Sequence, residues 1–442
     1  MKIAIIGAGW AGMAAAVTAT EQGHQAIVIE AAQAVGGRAR ALKGILPNGK
    51  SVVLDNGQHI LIGAYTETLK LMAKVGVDPH TALLNQPMAL LFPDGQGLRF
   101  PNWPTPLDAL VGILGARGWH LADKVSLLRV AMAWQFKKFR CAPETSVANL
   151  CQSCSPRVMA ELIEPLCVSA LNTPANRASG QVFLRVMQDA LFGVQGGSHL
   201  LLPRVDLGAL FPSAAAQWVT QGGGQIRLGT RVTSVLAQGA QWQVEGEAFE
   251  AIIMATSSTE SARMLYQSAT AAPEKIADSM RAWADTAKNL AFEAITTVYA
   301  WASNAALPHP MLALRSTPEQ PNQAAMPAQF VFDRGQLGGP PGLLAFVVSA
   351  STGDRDTLQA QVLNQAQVQL GLSLQAVQTV VEKRATFACT PGLKRPPSLI
   401  APGLLACGDY VAGPYPATLE GAVRSGVAAA SGAGFSASPS AR

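Results

Sequence analysis

The chain has 442 residues, enough for two or three domains. Only 14 % of them are charged, against roughly 25 % in an average soluble protein, while 49 % are hydrophobic. A net charge of +5 with no cluster of basic and aromatic residues in a base-reading motif excludes nucleic acid as a default partner, and six cysteines in so long a chain exclude a secreted disulfide scaffold.

The low charge leaves two readings: a large Ala-rich interior, or apolar surface offered to a lipid or a lipid-like substrate. No uncharged run suits a membrane-spanning helix, because the longest, such as Leu207–Ile226, carry Pro212 and the Gly222–Gly224 triplet.

In chain order, residues 1–30 predict a strand, a glycine turn, a helix of small residues and a second strand ending in Glu30. The turn is Gly7-x-Gly9-x-x-Gly12, with Ala11 inside it. Gly7 allows the sharp bend, Gly9 lets backbone approach a pyrophosphate, and Gly12 lets the helix lie close to the strand. The helix then points free N–H groups and the positive end of its dipole at the phosphates. Glu30, 18 positions after Gly12, suits a carboxylate that accepts from ribose hydroxyls. A secretory signal peptide is the competing reading, but three glycines interrupt its apolar core and cleavage would remove the nucleotide turn.

Next come Gly36-Gly37-Arg38-Ala39-Arg40, a hairpin through Pro47-Asn48-Gly49, and Asp55-Asn56-Gly57-Gln58-His59. From Tyr65 to Leu191 apolar residues recur at helical spacing, apart from a loop at Pro101–Pro106. Within it, residues 104–140 hold Arg117, Lys124, Arg129, Lys137, Lys138 and Arg140 against Asp108 and Asp123, with Trp119 and Trp134 among many aliphatic residues. That pattern suits either a helix pair capping a core or helices lying on an anionic bilayer. Cys151-x-x-Cys154 has no second pair and no nearby histidine, so no metal site is expected and a reducing, cytoplasmic compartment is.

Leu207–Thr220 predicts a helix, Gln225–Leu228 and Arg231–Leu236 short strands, and Gln241–Ala255 a hairpin ending in a buried strand. A second β-rich region follows, with strands at Ala294–Trp301, Gln329–Asp333, Leu343–Ala350 and Thr379–Phe387 and a helix at Thr357–Leu370. The strand Leu404–Cys407 leads into Gly408-Asp409-Tyr410 and a last helix.

Three separated motifs now agree: the first glycine turn with its acid, Gly-Gly-Arg-Ala-Arg, and Gly408-Asp409 followed by Thr418-Leu419-Glu420-Gly421-Ala422. Together they resemble the FAD-dependent amine oxidase and phytoene desaturase superfamily. Asp55–His59, Gly408–Tyr410 with Pro416–Ala422, and Pro165-Leu166-Cys167 with Ala170–Pro174 are most similar to the squalene-associated FAD-dependent desaturases, the hydroxysqualene dehydroxylases of bacterial hopanoid synthesis.

The resemblance, from Met1 to about Ala430, implies an α/β fold. A Rossmann-like FAD-binding domain is expected from residues 1–64, 201–265 and 389–435, with a discontinuous α+β substrate domain of helices (65–200) and antiparallel sheet (266–388) and a disordered tail (436–442).

It also implies roles. Gly37 and Arg38, helped by Arg40, would wrap the FAD pyrophosphate; Val232 would pair with adenine through its main chain. Asp409, after Gly408, would accept from the ribityl or bridging hydroxyls. Thr418 and Leu419 would set a helix N-terminus against the flavin pyrimidine, and Gln58 and His59 would run beside the ring system. Amine oxidases of this superfamily carry a tyrosine two residues before the equivalent of Glu420; here that position is Thr418, which points away from amines and towards an apolar substrate.

The reaction implied is reductive removal of an allylic hydroxyl, with His59, Tyr415 and Asp55 as candidate proton donors. NADPH or a redox partner would supply electrons, and an isoprenoid substrate implies peripheral contact with the inner membrane from the cytoplasm. The alternatives are a phytoene-type desaturase and a flavin-bearing scaffold subunit without a substrate.

Overall fold

The computed structural model describes residues 1–432 apart from 319, 322 and 323, so the expected disorder of 436–442 lies outside the described residues. A six-stranded sheet runs in the order Gln225–Arg227, Gln25–Ile29, Lys2–Ile6, Ala251–Met254, Leu404–Ala406, Leu399–Ala401. The first five are parallel and the last is antiparallel. Runs such as Ala251-Ile252-Ile253-Met254 are apolar at every position because both faces of a parallel sheet are covered. The Trp10–Glu21 helix lies against the sheet and against the Leu419–Ala430 helix. A Cβ on Gly426 would stand 2.1 Å from the Ala11 carbonyl, so these two helices touch backbone to backbone. This is why the first helix is built from alanine and glycine.

A five-stranded antiparallel sheet, Met311–Ala313, Phe330–Asp333, Leu343–Ser349, Phe292–Trp301, Gln375–Phe387, forms the second layer. Its side chains alternate between faces with the period of two that a strand imposes. Val298, Ala300, Val331, Phe346 and Val348 pack under the Arg355–Leu370 helix. Their neighbours Ile295, Phe330, Phe332, Val347 and Ser349 face a large cavity.

Helices between Leu107 and Phe192 roof that cavity, including a π-helical turn at Met159–Ile163. Asn172, held left-handed at φ 46°, ends the Glu164–Leu171 helix. Its Nδ2 donates to Thr386 Oγ1 (3.0 Å) and its Oδ1 accepts from Ala350 N (2.7 Å), pinning roof to sheet.

Four local expectations change. The helical stretch from Tyr65 includes strands at Leu83–Gln86, Ala89–Leu91 and Gly97–Arg99, where Pro87 and the Gly95 and Gly97 turns break the helical period. The helix expected over 207–220 is two, Leu207–Leu210 and Pro212–Gln221, because a residue before proline avoids helical geometry and Phe211 sits at φ −153°. Residues 231–235 pair with no strand; pairing begins at Leu236. Helices Ser258–Ser268 and Glu274–Lys288 were not expected at all.

Candidate active site

One cavity of about 900 Å³ runs from the first glycine turn, past both later motifs, into the space between the antiparallel sheet and its helical roof. At its first end the backbone is bared. Gly7 adopts φ +111°, where an added Cβ would meet the Ala255 carbonyl at 2.7 Å, and one on Gly37 would stand 3.1 Å from Gly9 Cα. A Cβ on Gly12 would lie 2.0 Å from Gly7 O, so Gly12 serves helix–strand contact behind the cavity wall. Gly9 is the N-cap of the Trp10–Glu21 helix without a side-chain cap, and no acid occupies the first turn. Its N–H groups and dipole therefore face the cavity unspent, as an anion requires.

Ala11 and Glu30 line the same end. Glu30 is held by the N–H groups of Ala8 (2.7 Å) and Ala32 (2.8 Å), and each oxygen keeps a lone pair for a ribose hydroxyl. Val232 lines it too, 4 % exposed, and among the described residues its N–H and carbonyl have no partner. An unpaired buried peptide fits the edge of an adenine ring. The glycine cradle, the uncapped helix and this free peptide together fit a dinucleotide.

Midway, Arg38 donates to Asp409 Oδ1 (2.6 Å) and to the Ala385 carbonyl (2.6 Å). The Asp409 carboxylate holds the Arg38 guanidinium even more firmly protonated than usual, against the cost of burial. Gly408 N donates to Ser425 Oγ (2.8 Å), seating the motif on the last helix. Arg40 does not line the cavity; it donates to Gly37 O (2.6 Å) and braces the turn from behind. Thr418 caps the last helix through Gly421 N (2.9 Å), and Leu419 opens it, both at the cavity wall.

The three proton-donor candidates divide. His59 faces the cavity with Nδ1 3.0 Å from Gly57 O, which assigns the proton to Nδ1 and leaves Nε2 an acceptor. Burial holds its pKa below the ordinary value, and the charge of Arg38 lowers it further, so the ring is neutral. Asp55 is behind the wall, outside the cavity lining. Its Oδ1 accepts from Leu207 N (2.8 Å), its Oδ2 lies 3.8 Å from Arg334, and Tyr299 donates to its carbonyl (2.9 Å). Burial pushes its carboxyl up to about 6. The acid that reads as functional in the sequence is thus tied into the fold, while Gln58 lines the cavity with its oxygen held by Arg334 (3.2 Å).

Tyr415 lines the cavity in a charged setting that sequence reasoning missed. The Arg424 guanidinium lies 4.9 Å and that of Arg185 5.7 Å from its ring centre. Arg185 Nε donates to Asp189 (2.6 Å), and Asp189 bears on the phenol. Burial first, then Asp189, raises the phenol above its ordinary pKa, so it carries its proton at neutral pH. The one clue in the sequence was an Arg–Asp pair at i, i+4 in an otherwise uncharged helix.

Beyond Tyr415 the wall is mainly apolar: Leu107, Leu110, Met132, Leu162, Phe330 and Phe332 contribute from roof and sheet, with Gln135, Ser169, Asn172, Ser349, Glu382 and Thr386 as polar exceptions.

The sequence pattern of the family described as flavin containing amine oxidoreductase matches residues 10–433. The hydroxysqualene dehydroxylase of Zymomonas mobilis subsp. mobilis is 24 % identical over 450 residues, spanning 96 % of this chain and 97 % of its own. That of Sinorhizobium fredii is 26 % identical, spanning 97 % of both. The zeta-carotene desaturase of Arabidopsis thaliana is 30 % identical over 105 residues only, 23 % of this chain and 18 % of its own. Among solved structures, an oxidoreductase from Methanosarcina mazei superposes with a TM-score of 0.70 at 15 % identity over 97 % of this chain and 99 % of its own, a likeness of fold. With the family pattern running from the first helix past the last, and a cradle built for a dinucleotide, the chain belongs to the flavin containing amine oxidoreductase family and is an FAD-dependent oxidoreductase.

Proposed function

We propose that this enzyme reductively removes the hydroxyl of hydroxysqualene, giving squalene and water. The observation that carries the reading is a protonated, cation-flanked phenol where the cofactor cradle opens into an apolar chamber. Relatives bearing that activity in their names match 96 % or more of the chain, which supports it.

In this reading Gly7, Gly9, Ala11, Gly37 and Arg38 would hold the diphosphate of FAD. Glu30 would hold the adenosine ribose, Val232 the adenine, Asp409 the ribityl chain, and Gln58, Thr418 and Leu419 the ring system, in a domain assembled from 1–64, 201–265 and 389–435. Bound and reduced, FAD would supply the hydride that forms the new C–H bond at the carbon losing its hydroxyl. The chain supplies the rest. Tyr415 donates its proton to the departing hydroxyl, which leaves as water while the allylic carbon bears the positive charge. Arg185 and Arg424 stabilise the phenolate formed, and Asp189 positions the phenol. The apolar wall excludes water from the cation. His59, neutral and fixed by Gly57, packs beside the ring system. Electrons come from NADPH or a redox partner.

Incubating the anaerobically reduced protein with hydroxysqualene is expected to yield squalene by mass spectrometry. Conversion of phytoene by the oxidised protein would support the desaturase reading instead, and bound flavin with neither product would support the scaffold. A desaturase needs no group to protonate a leaving oxygen, and the Tyr415 cluster favours the dehydroxylase.

A further inference from the structure

We infer that the face formed by the Leu107–Leu114 and Leu121–Phe136 helices and the end of Gly180–Phe192 docks on an anionic lipid bilayer and admits substrate from it. Large apolar side chains of this face and of the loop leading into its first helix are exposed: Phe136 is 91 % exposed, Met132 60 %, Leu107 52 % and, in the loop, Trp103 54 %. Helices that only cap a core would turn such residues inward, as Leu127, Val130 and Trp134 of the same helix do.

Charge complements this surface. Of the eight charged residues in 104–140, the two acids are inside: Asp108 is 2 % and Asp123 7 % exposed. Asp108 accepts from Ala109 N, and Asp123 from His120 N and Ser155 Oγ. Arg117, Arg129, Lys137, Lys138 and Arg140 are exposed and Lys124 half-buried, so this segment shows only positive charge to solvent. Apolar anchors rimmed by cations suit anionic headgroups over acyl chains.

Access is continuous with the site. Leu107, Leu110, Met132 and Phe192 are exposed and also line the cavity, so its mouth opens among the anchors. Phe192 is fixed there against Phe139, ring centres 5.3 Å apart. Among the described residues no helix is long and apolar enough to cross a membrane, so the contact is peripheral. Docking stands on this surface alone; delivery of an isoprenoid also rests on the function proposed above.

The test is sedimentation of the flavin-loaded enzyme with vesicles of phosphatidylcholine, with and without one-third phosphatidylglycerol. Binding is expected to be at least roughly tenfold stronger with the anionic lipid, to fall by about tenfold in K137Q/K138Q, and to fall by about tenfold in W103S/F136S. Trp103 and Phe136 do not line the cavity, so W103S/F136S should turn over detergent-dispersed hydroxysqualene normally and vesicle-borne hydroxysqualene slowly. Equal binding to both vesicle types, or unchanged binding by both double variants, overturns docking. So does a dimer in sedimentation velocity that W103S/F136S dissociates, because a second copy would then cover the face. Vesicle binding with no squalene formed leaves docking standing and removes the reaction.

Discussion

Arg38 and Asp409 meet at 2.6 Å, joining a turn near the start of the chain to a turn near its end across one cavity wall. Asp409 is 8 % exposed while the Arg38 side chain is 39 % exposed, and the Asp409 charge is the main support of the Arg38 guanidinium. R38A therefore leaves a carboxylate unpaired beside the expected diphosphate. We expect it to retain at most about a tenth of the wild-type flavin, since a lost charge-assisted bond costs about 1.5–3 kcal/mol. The ratio of flavin to protein absorbance after purification measures this, and wild-type loading in R38A would remove Arg38 from the cradle.

Gly9 and Gly12 should part company. A Cβ on Gly9 meets only Gly37 Cα, at 3.9 Å, so G9A folds as wild type, yet its methyl occupies the approach to the diphosphate. G12A drives a Cβ into Gly7 O and Ala255 Cβ, so the helix must move off the sheet. G9A is expected to keep the wild-type denaturation midpoint of the flavin-free protein and lose flavin. G12A is expected to lower that midpoint by about 1–3 kcal/mol of stability. Similar midpoints for both would show that Gly12 is no packing position.

For proton delivery, Y415F should keep the bound-flavin spectrum and lose roughly 10²–10⁴-fold in turnover of the reduced enzyme. H59A should lose far less, because a neutral ring whose proton is already given to Gly57 O has none to offer. D189N gives a separate readout. Asp189 helps raise the phenol pKa, so its removal should move the alkaline fall of kcat, where Tyr415 loses its proton, to lower pH. Turnover unchanged in Y415F would transfer the role elsewhere.

The parts legible in the sequence were those whose physics is local. The glycine turn, Glu30 and the strands flanking them specify one another within thirty residues, and the sheet places them as their spacing implies. The strands Phe330–Asp333 and Leu343–Ser349 were legible for the same reason, as short apolar runs rich in valine and phenylalanine, buried at every position because both faces of this sheet are covered. Asp189 and Tyr415 meet only through tertiary packing, and neither has a neighbour in sequence that announces the other. Asp55 misled in the opposite sense: its motif reads as a site, but the partner that consumes its oxygen, Leu207 N–H, opens a helix that the sequence marks without showing that it packs against Asp55, 152 residues away. The strands between Leu83 and Arg99 were hidden because segments of three or four residues are too short to display either period.

Asp55 gives the protein a pH signature of its own. Burial, partly offset by Leu207 N–H and Arg334, lifts the native carboxyl to about 6, against about 3.8 in the unfolded chain. Well below pH 3.8 both states hold the proton and the native state bears no penalty from this group. Between about 4 and 6 the unfolded chain releases its proton first, so stability declines as pH rises, and the loss, about 3 kcal/mol, is complete above the native value. D55N keeps an oxygen for Leu207 N–H and cannot ionise. The stability of D55N relative to wild type should therefore increase from pH 4.5 to about 6.5 and level off by pH 7.5, read as the gap between urea midpoints at each pH. A gap that stays constant across that range would mean that Asp55 titrates alike in both states, and a gap that narrows would mean that Arg334 and Leu207 N–H outweigh burial.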